Sequence, residues 1–182
     1  MARITELYNW IRTVLPSAFV RDSVTGALKT IDVAHDEVHT GSSFIAFLYD
    51  ADLDDGQVAN IRLVAPDTSV RCHLIVDVTG TNATTWALYK DTTHTIGTPL
   101  TVFNKEQNSD SAATMTASHT ASGGADGTMI EPGAFGEKKT GGGADRGRDE
   151  WIVKQGAVWL LQATSRAADN KVVLIAKWYE ET

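Results

Sequence analysis

The sequence predicts an all-β protein, a β-sandwich (jelly-roll-like) with a short N-terminal amphipathic helix as an arm. Three observations predict it. Runs rich in β-branched and aromatic residues alternate with polar ones at the period of two that a strand with one buried face requires. Such runs recur about every ten to fifteen residues, with turn residues between them, which is the spacing of a sandwich or jelly roll. A clear helical period appears only near the start of the chain.

That helical stretch is "ITELYNWIRTVL", residues 4–15. Ile4, Leu7, Tyr8, Ile11, Val14 and Leu15 fall on one face, with Glu6, Asn9, Arg12 and Thr13 on the other, and Pro16 ends it. A helix this short is not stable alone in water, so its apolar face needs a surface to lie on. That surface is either its own domain or a neighbouring subunit reached through the linker "PSAFVRDSVTG". Residues 1–29 therefore read as a helix and linker arm, and residues 30–182 as the sandwich domain. Glu6 and Arg12 interrupt the apolar stretch, which argues against a signal peptide. No run approaches the ~20 apolar residues of a membrane span.

The strand signals follow in order. "SFIAFLYD" is aromatic and β-branched. In "VRCHLIVDV" Val70, Cys72, Leu74, Val76 and Val78 face one way and Arg71, His73 and Asp77 the other, with Ile75 the exception. "TTWALYK" sets Trp86 and Leu88 on one side, and "ATMTASH" is a threonine-rich strand suited to a sheet edge or exposed face. The last segment holds two long apolar runs joined by "SRAADNK", and it reads as an antiparallel pair. Both faces of these strands are apolar: Trp159 and Leu161 against Val158 and Leu160, then Leu174 and Trp178 against Val173, Ile175 and Tyr179. A strand with one wet face does not need this, so the second face is covered by the chain or forms a subunit interface. Between these blocks residues 122–148 hold nine glycines and read as one long surface loop. Lys138, Lys139, Arg146 and Arg148 make its end basic. No P-loop spacing is present, and a loop of this length is often a contact element.

Composition narrows the function. The chain has 182 residues, 42% hydrophobic and 21% charged, with net charge −7. That is an ordinary globular balance and lacks the basic face that nucleic acid requires. Seven acids and no Lys or Arg lie between Thr30 and Ile61. Cys72 is the single cysteine, so no intrachain disulfide forms, and it reads as a small core residue. His35 and His39 stand four apart, but the zinc-protease pattern needs glutamate where Asp36 stands, and no third ligand has motif spacing. "DADLDDG", Asp50 to Gly56, begins like a calcium loop with Asp50, Asp52 and Asp54. Asp55 replaces the required glycine and Ile61 the required glutamate, so it reads as a solvated acidic turn. No nucleophile elbow or acid pair is singled out. Neither an enzymatic role nor a cofactor is expected.

The order of several short motifs carries a resemblance. His35-x-Glu37-Val38-His39-x-Gly41-x-x-Phe44 is followed by "YDADLDDG", "ATMTASHT" (Ala113 to Thr120) and Ala125-Asp126-Gly127-Thr128. The Gly- and Arg-rich loop, Glu150-Trp151-x-Val153-Lys154 and Trp178-Tyr179-Glu180 complete the series. Together these span about residues 30–180, and the chain resembles small virion proteins of tailed bacteriophages, the capsid decoration (cement) proteins. The resemblance implies a jelly-roll-like protein made in the host cytoplasm and placed on the virion surface. Its partners would be the major capsid protein and copies of itself, as a homotrimer, with no nucleic acid and no membrane. The candidate contacts are the helix face Ile4, Leu7, Ile11 and Leu15 and the basic residues Lys138, Lys139, Arg146 and Arg148. The alternatives are a carbohydrate-binding module, using Trp10, Trp86 or Trp151 as sugar platforms, and a head–tail or tail component.

Overall fold

A computed structural model of the chain describes residues 37–136 and 150–181. The arm residues Ile4, Leu7, Ile11 and Leu15, the basic residues Lys138, Lys139, Arg146 and Arg148, and His35 and Trp10 lie outside the described residues.

Eleven strands follow in order: β1 (Ser43–Leu53), β2 (Val58–Val64), β3 (Arg71–Gly80), β4 (Thr84–Lys90), β5 (Thr98–Pro99) and β6 (Phe103–Asn104), then β7 (Thr116–His119), β8 (Thr128–Phe135), β9 (Trp151–Val153), β10 (Val158–Ser165) and β11 (Asn170–Glu181). They form a five-stranded sheet, β6-β1-β11-β3-β9, and a six-stranded sheet, β5-β7-β2-β10-β4-β8.

The pairings explain the order. β1 pairs with β11, β2 with β10, β3 with β9 and β4 with β8, all antiparallel. The chain is thus one long ribbon, its first arm at 43–90 and its returning arm at 128–181. The ribbon rolls up so that β11 also meets β3 and β10 also meets β4. This is the jelly roll, with each arm stepping from one sheet to the other. Residues 91–127 are inserted at the far end of the ribbon, and their short strands extend both sheets, β6 beside β1 and β7 with β5 beside β2.

Alternation places the core between the sheets. Phe44 and Ala46 of β1, Ile61 and Leu63 of β2, Leu74 and Val78 of β3, Leu161 of β10 and Leu174 and Trp178 of β11 are buried there in one cluster. Cys72 joins them, as its place in the alternating run predicts. Removing one such side chain, as in Leu74→Ala, costs about 2–5 kcal/mol through lost contacts and the cavity left behind.

Two expectations from sequence are corrected. The runs before and after "SRAADNK" do not pair with each other, because β10 lies in one sheet and β11 in the other. Nor is 122–148 a single loop, since β8 occupies Thr128–Phe135 at the outer edge of the six-stranded sheet. Pro132 fits there because an edge strand has one side with no ladder partner.

Candidate interaction surface

The two sheets treat their outer faces differently. On the six-stranded sheet Asn60, Arg62 and Leu160 alternate away from the core. Residues 91–127 lie over them. Asn60 exchanges two hydrogen bonds with the Ala121 backbone, at 3.0 and 2.9 Å, and Arg62 Nε donates to the His94 carbonyl at 2.9 Å. His94 Nε2 meets Asp126 at 2.7 Å, and its Nδ1 accepts the Gly124 N–H at 3.2 Å. Burial lowers the Arg62 pKa. Burial raises that of Tyr89, and the Asp126 charge adds to it. Leu160, which points out of the sandwich, is fully buried under this cover. The doubly apolar character of β10 is therefore accounted for within the chain.

The five-stranded sheet has no such cover among the described residues. Its outward positions are Ile45, Phe47 and Tyr49 on β1, Ile75 and Asp77 on β3, Ile152 on β9 and Val173, Ile175 and Lys177 on β11. Phe103 of β6 stacks on Phe47, with ring centroids 6.0 Å apart. Phe47 is 45%, Tyr49 55%, Phe103 44% and Ile152 61% exposed. Solvated apolar side chains gathered on one sheet mark an interaction site, whereas scattered ones do not. The one charge pair in the middle of the patch, Lys177 with Asp77, is internally matched across β11 and β3.

At one end of this face β3 and β11 bring His73 and Tyr179 side by side, their rings stacked at 4.4 Å. His73 Nδ1 hydrogen-bonds Glu150, and the Tyr179 hydroxyl donates to the same carboxylate at 2.9 Å. Burial pushes the Tyr179 phenol up to about 12. The hydrogen bond to Glu150 adds to this, followed by the charges of Glu150, Glu181 and Glu37. His73 Nε2 is buried without a hydrogen bond, although the Glu181 carboxylate is 3.4 Å away. That distance is longer than an ordinary N–H···O hydrogen bond, which reconciles the two observations. His73 leaves the core on the side its alternation predicts, but the stacked tyrosine nearly buries it. The grouping joins residues 77 positions apart, and no sequence spacing could announce it.

The other candidates stay apart. His39 sits exposed on the helical turn Glu37–His39, which Gly41 ends at φ 76° by donating to Val38 O. Asp52 and Asp54 meet Asp169 at the surface, their oxygens within 4.8 Å of one another. Asp50 is not part of this group and instead accepts the Asp52 N–H. His94 uses both ring nitrogens on Asp126 and Gly124, and His119 Nδ1 meets Thr120 Oγ1 at 2.9 Å. A cleft of about 550 Å³ opens between the edges of β1 and β2, and the titratable groups that line it are Tyr49, Asp50 and His119. Burial pushes the Cys72 thiol up to about 12, and the Glu180 charge adds to this, the reverse of what a nucleophilic thiol needs. Trp86 lies beneath the Gly133 backbone, and Trp151 packs edge-on against Trp159 while donating to Glu131. No helix among the described residues is long and apolar enough to cross a membrane. In comparisons with known proteins no family model, characterised protein or solved structure matches this chain.

Proposed function

We propose that the chain is a non-enzymatic virion structural protein, a capsid decoration protein that binds the major capsid protein lattice and braces the shell as a symmetric oligomer. The observation that carries this reading is the broad apolar face of the five-stranded sheet that no described residue covers. Such a surface serves protein contact, not turnover of a small molecule. The chemistry of the side chains agrees with it. Among the described residues the histidines are tied into local contacts and the cysteine is buried with a raised pKa. The net charge of −7 suits a protein lattice better than packaged DNA. The motif resemblance adds the virion context.

A sugar-binding module is the weaker alternative. Stacking on a sugar needs a flat exposed aromatic ring; Trp159 lies edge-on against Trp151, and the groove that Trp86 lines with Tyr89, Gln162 and Arg166 is what such a module would use. A head–tail or tail position differs only in the lattice bound.

The test is co-sedimentation of the purified chain with capsids lacking their decoration protein, followed by heating of the decorated shells. Saturable binding at a stoichiometry matching the lattice symmetry, with a higher rupture temperature, is expected. Absence of binding to such shells, with binding to tails or to glycans instead, would overturn the reading.

A further inference from the structure

We propose that the outer face of the β6-β1-β11-β3-β9 sheet is covered by a second copy of this chain. This deepens the reading above by naming the occupant of the same surface, and it rests on that reading only for the biological setting.

Several observations point to a copy of the chain itself. The first is the asymmetry between the sheets. The insertion 91–127 roofs one outer face, where Leu160 is buried, and leaves the other, where Phe47, Tyr49 and Ile152 are exposed. The second is charge. A chain of net charge −7 repels its copies, so self-contact requires a patch free of uncompensated acid. The middle of this face supplies one, since Lys177 and Asp77 neutralise each other among Phe47, Ile75 and Ile175, and the acids Glu150 and Glu181 lie at its His73–Tyr179 end.

The third is size. β1, β3 and β11 run ten to twelve residues at ~3.4 Å each in rows ~4.8 Å apart, and with the short β6 and β9 they give a flat area of about 600 Å² before side-chain relief is counted. A standard stable interface takes about 800 Å² from each partner.

Light scattering on the full chain, on two face variants and on a control variant tests the proposal. Ile175→Arg places a charge at the centre of the face, and Phe47→Glu does so at an exposed position where misfolding is less of a risk. Ile96→Arg, on the insertion and 65% exposed, is the control. Circular dichroism and melting establish that each variant folds. The expected result is a wild-type mass that is a multiple of 19.6 kDa. It should fall to a single chain in both face variants and stay unchanged in the control. A monomeric wild type, or an oligomer that survives both face variants, would overturn the proposal. Capsid co-sedimentation separates this from the functional reading. A monomer that still binds shells sinks only the self-contact, and an oligomer disrupted by the face variants that binds no shell sinks only the decoration role.

Discussion

The carboxylate of Glu180 accepts the backbone N–H of Met115 at 2.9 Å. It also accepts from the Thr114 N–H, the Thr114 hydroxyl at 2.7 Å and the Trp178 indole at 3.0 Å. Glu180 points inward from the last strand, so this buried group fastens the start of β7 in the inserted segment to the sandwich, beside the bonds from Asn60 and Arg62. A carboxylate with this many donors around it is replaced poorly by an amide, whose NH₂ would face N–H groups. Glu180→Gln should therefore lower stability by about 2–3 kcal/mol in urea denaturation, and Glu180→Ala by at least as much. A loss under about 0.5 kcal/mol would mean that water replaces these bonds at little cost.

Asn170 plays the matching role at the opposite turns. It is fully buried, and its Nδ2 donates to Thr84 Oγ1 at 2.8 Å and Ser165 Oγ at 3.1 Å, while Oδ1 accepts the Asn82 N–H at 2.9 Å. The β3–β4 turn and the β10–β11 turn are thereby closed on each other across the two sheets. Asn170→Ala should cost about 2–4 kcal/mol, since it strands the Asn82 N–H as well as losing contacts. Combined with Glu180→Gln the losses should add, because the two sites share no partner. A strongly sub-additive double variant would show the two ends unfolding as one element.

The buried thiol gives a pH dependence whose sign is fixed by its shift. An unfolded cysteine titrates near 8.5, and folded Cys72 holds its proton up to about 12. Between these values the unfolded chain has lost a proton that the folded one keeps. Stability is thus fully present below about pH 8.5 and falls as pH rises towards about 12, with a slope approaching ~1.4 kcal/mol per pH unit. Tyr179, also held up to about 12, contributes in the same direction above about pH 10. Denaturant midpoints measured across this range should show the decline, and Cys72→Ala should flatten its first part. Native protein at pH 8 should resist iodoacetamide and react once unfolded. Rapid native labelling would show that the site opens.

The sequence made the faces of the long strands legible and their neighbours much less so. Alternation in β3 and β11 tells which side chains are buried, because burial on one face imposes a period of two. It says nothing about which strand lies alongside, and consecutive runs pair often enough that β10 and β11 read as a hairpin. In the jelly roll each instead pairs with strands from the first arm of the ribbon. β8 was hidden because Pro132 and Gly133 signal turns, and only its edge position makes them tolerable. β5, β6 and β9 are too short to carry any period. The apolar outer face of the five-stranded sheet was half visible, since Val173, Ile175 and Tyr179 showed β11 to be apolar on both sides. Sequence could not tell that the equivalent side of β10 is roofed by residues some forty to seventy positions earlier in the chain.

The acidic turn offers a last test, one of repulsion. Asp52, Asp54 and Asp169 bring three exposed carboxylates within 4.8 Å of one another. Like charges this close disfavour the folded state, modestly because water and salt screen them. Asp169 also has a left-handed backbone, φ 53°, a conformation that asparagine adopts at least as readily as aspartate. Asp169→Asn therefore removes one charge without disturbing the turn. It should raise the melting temperature slightly in low salt, and the gain should shrink as salt is added. A fall in melting temperature that is independent of salt would mean that the Asp169 carboxylate makes a stabilising contact, and the turn would then have to be read as a structure built around its acids.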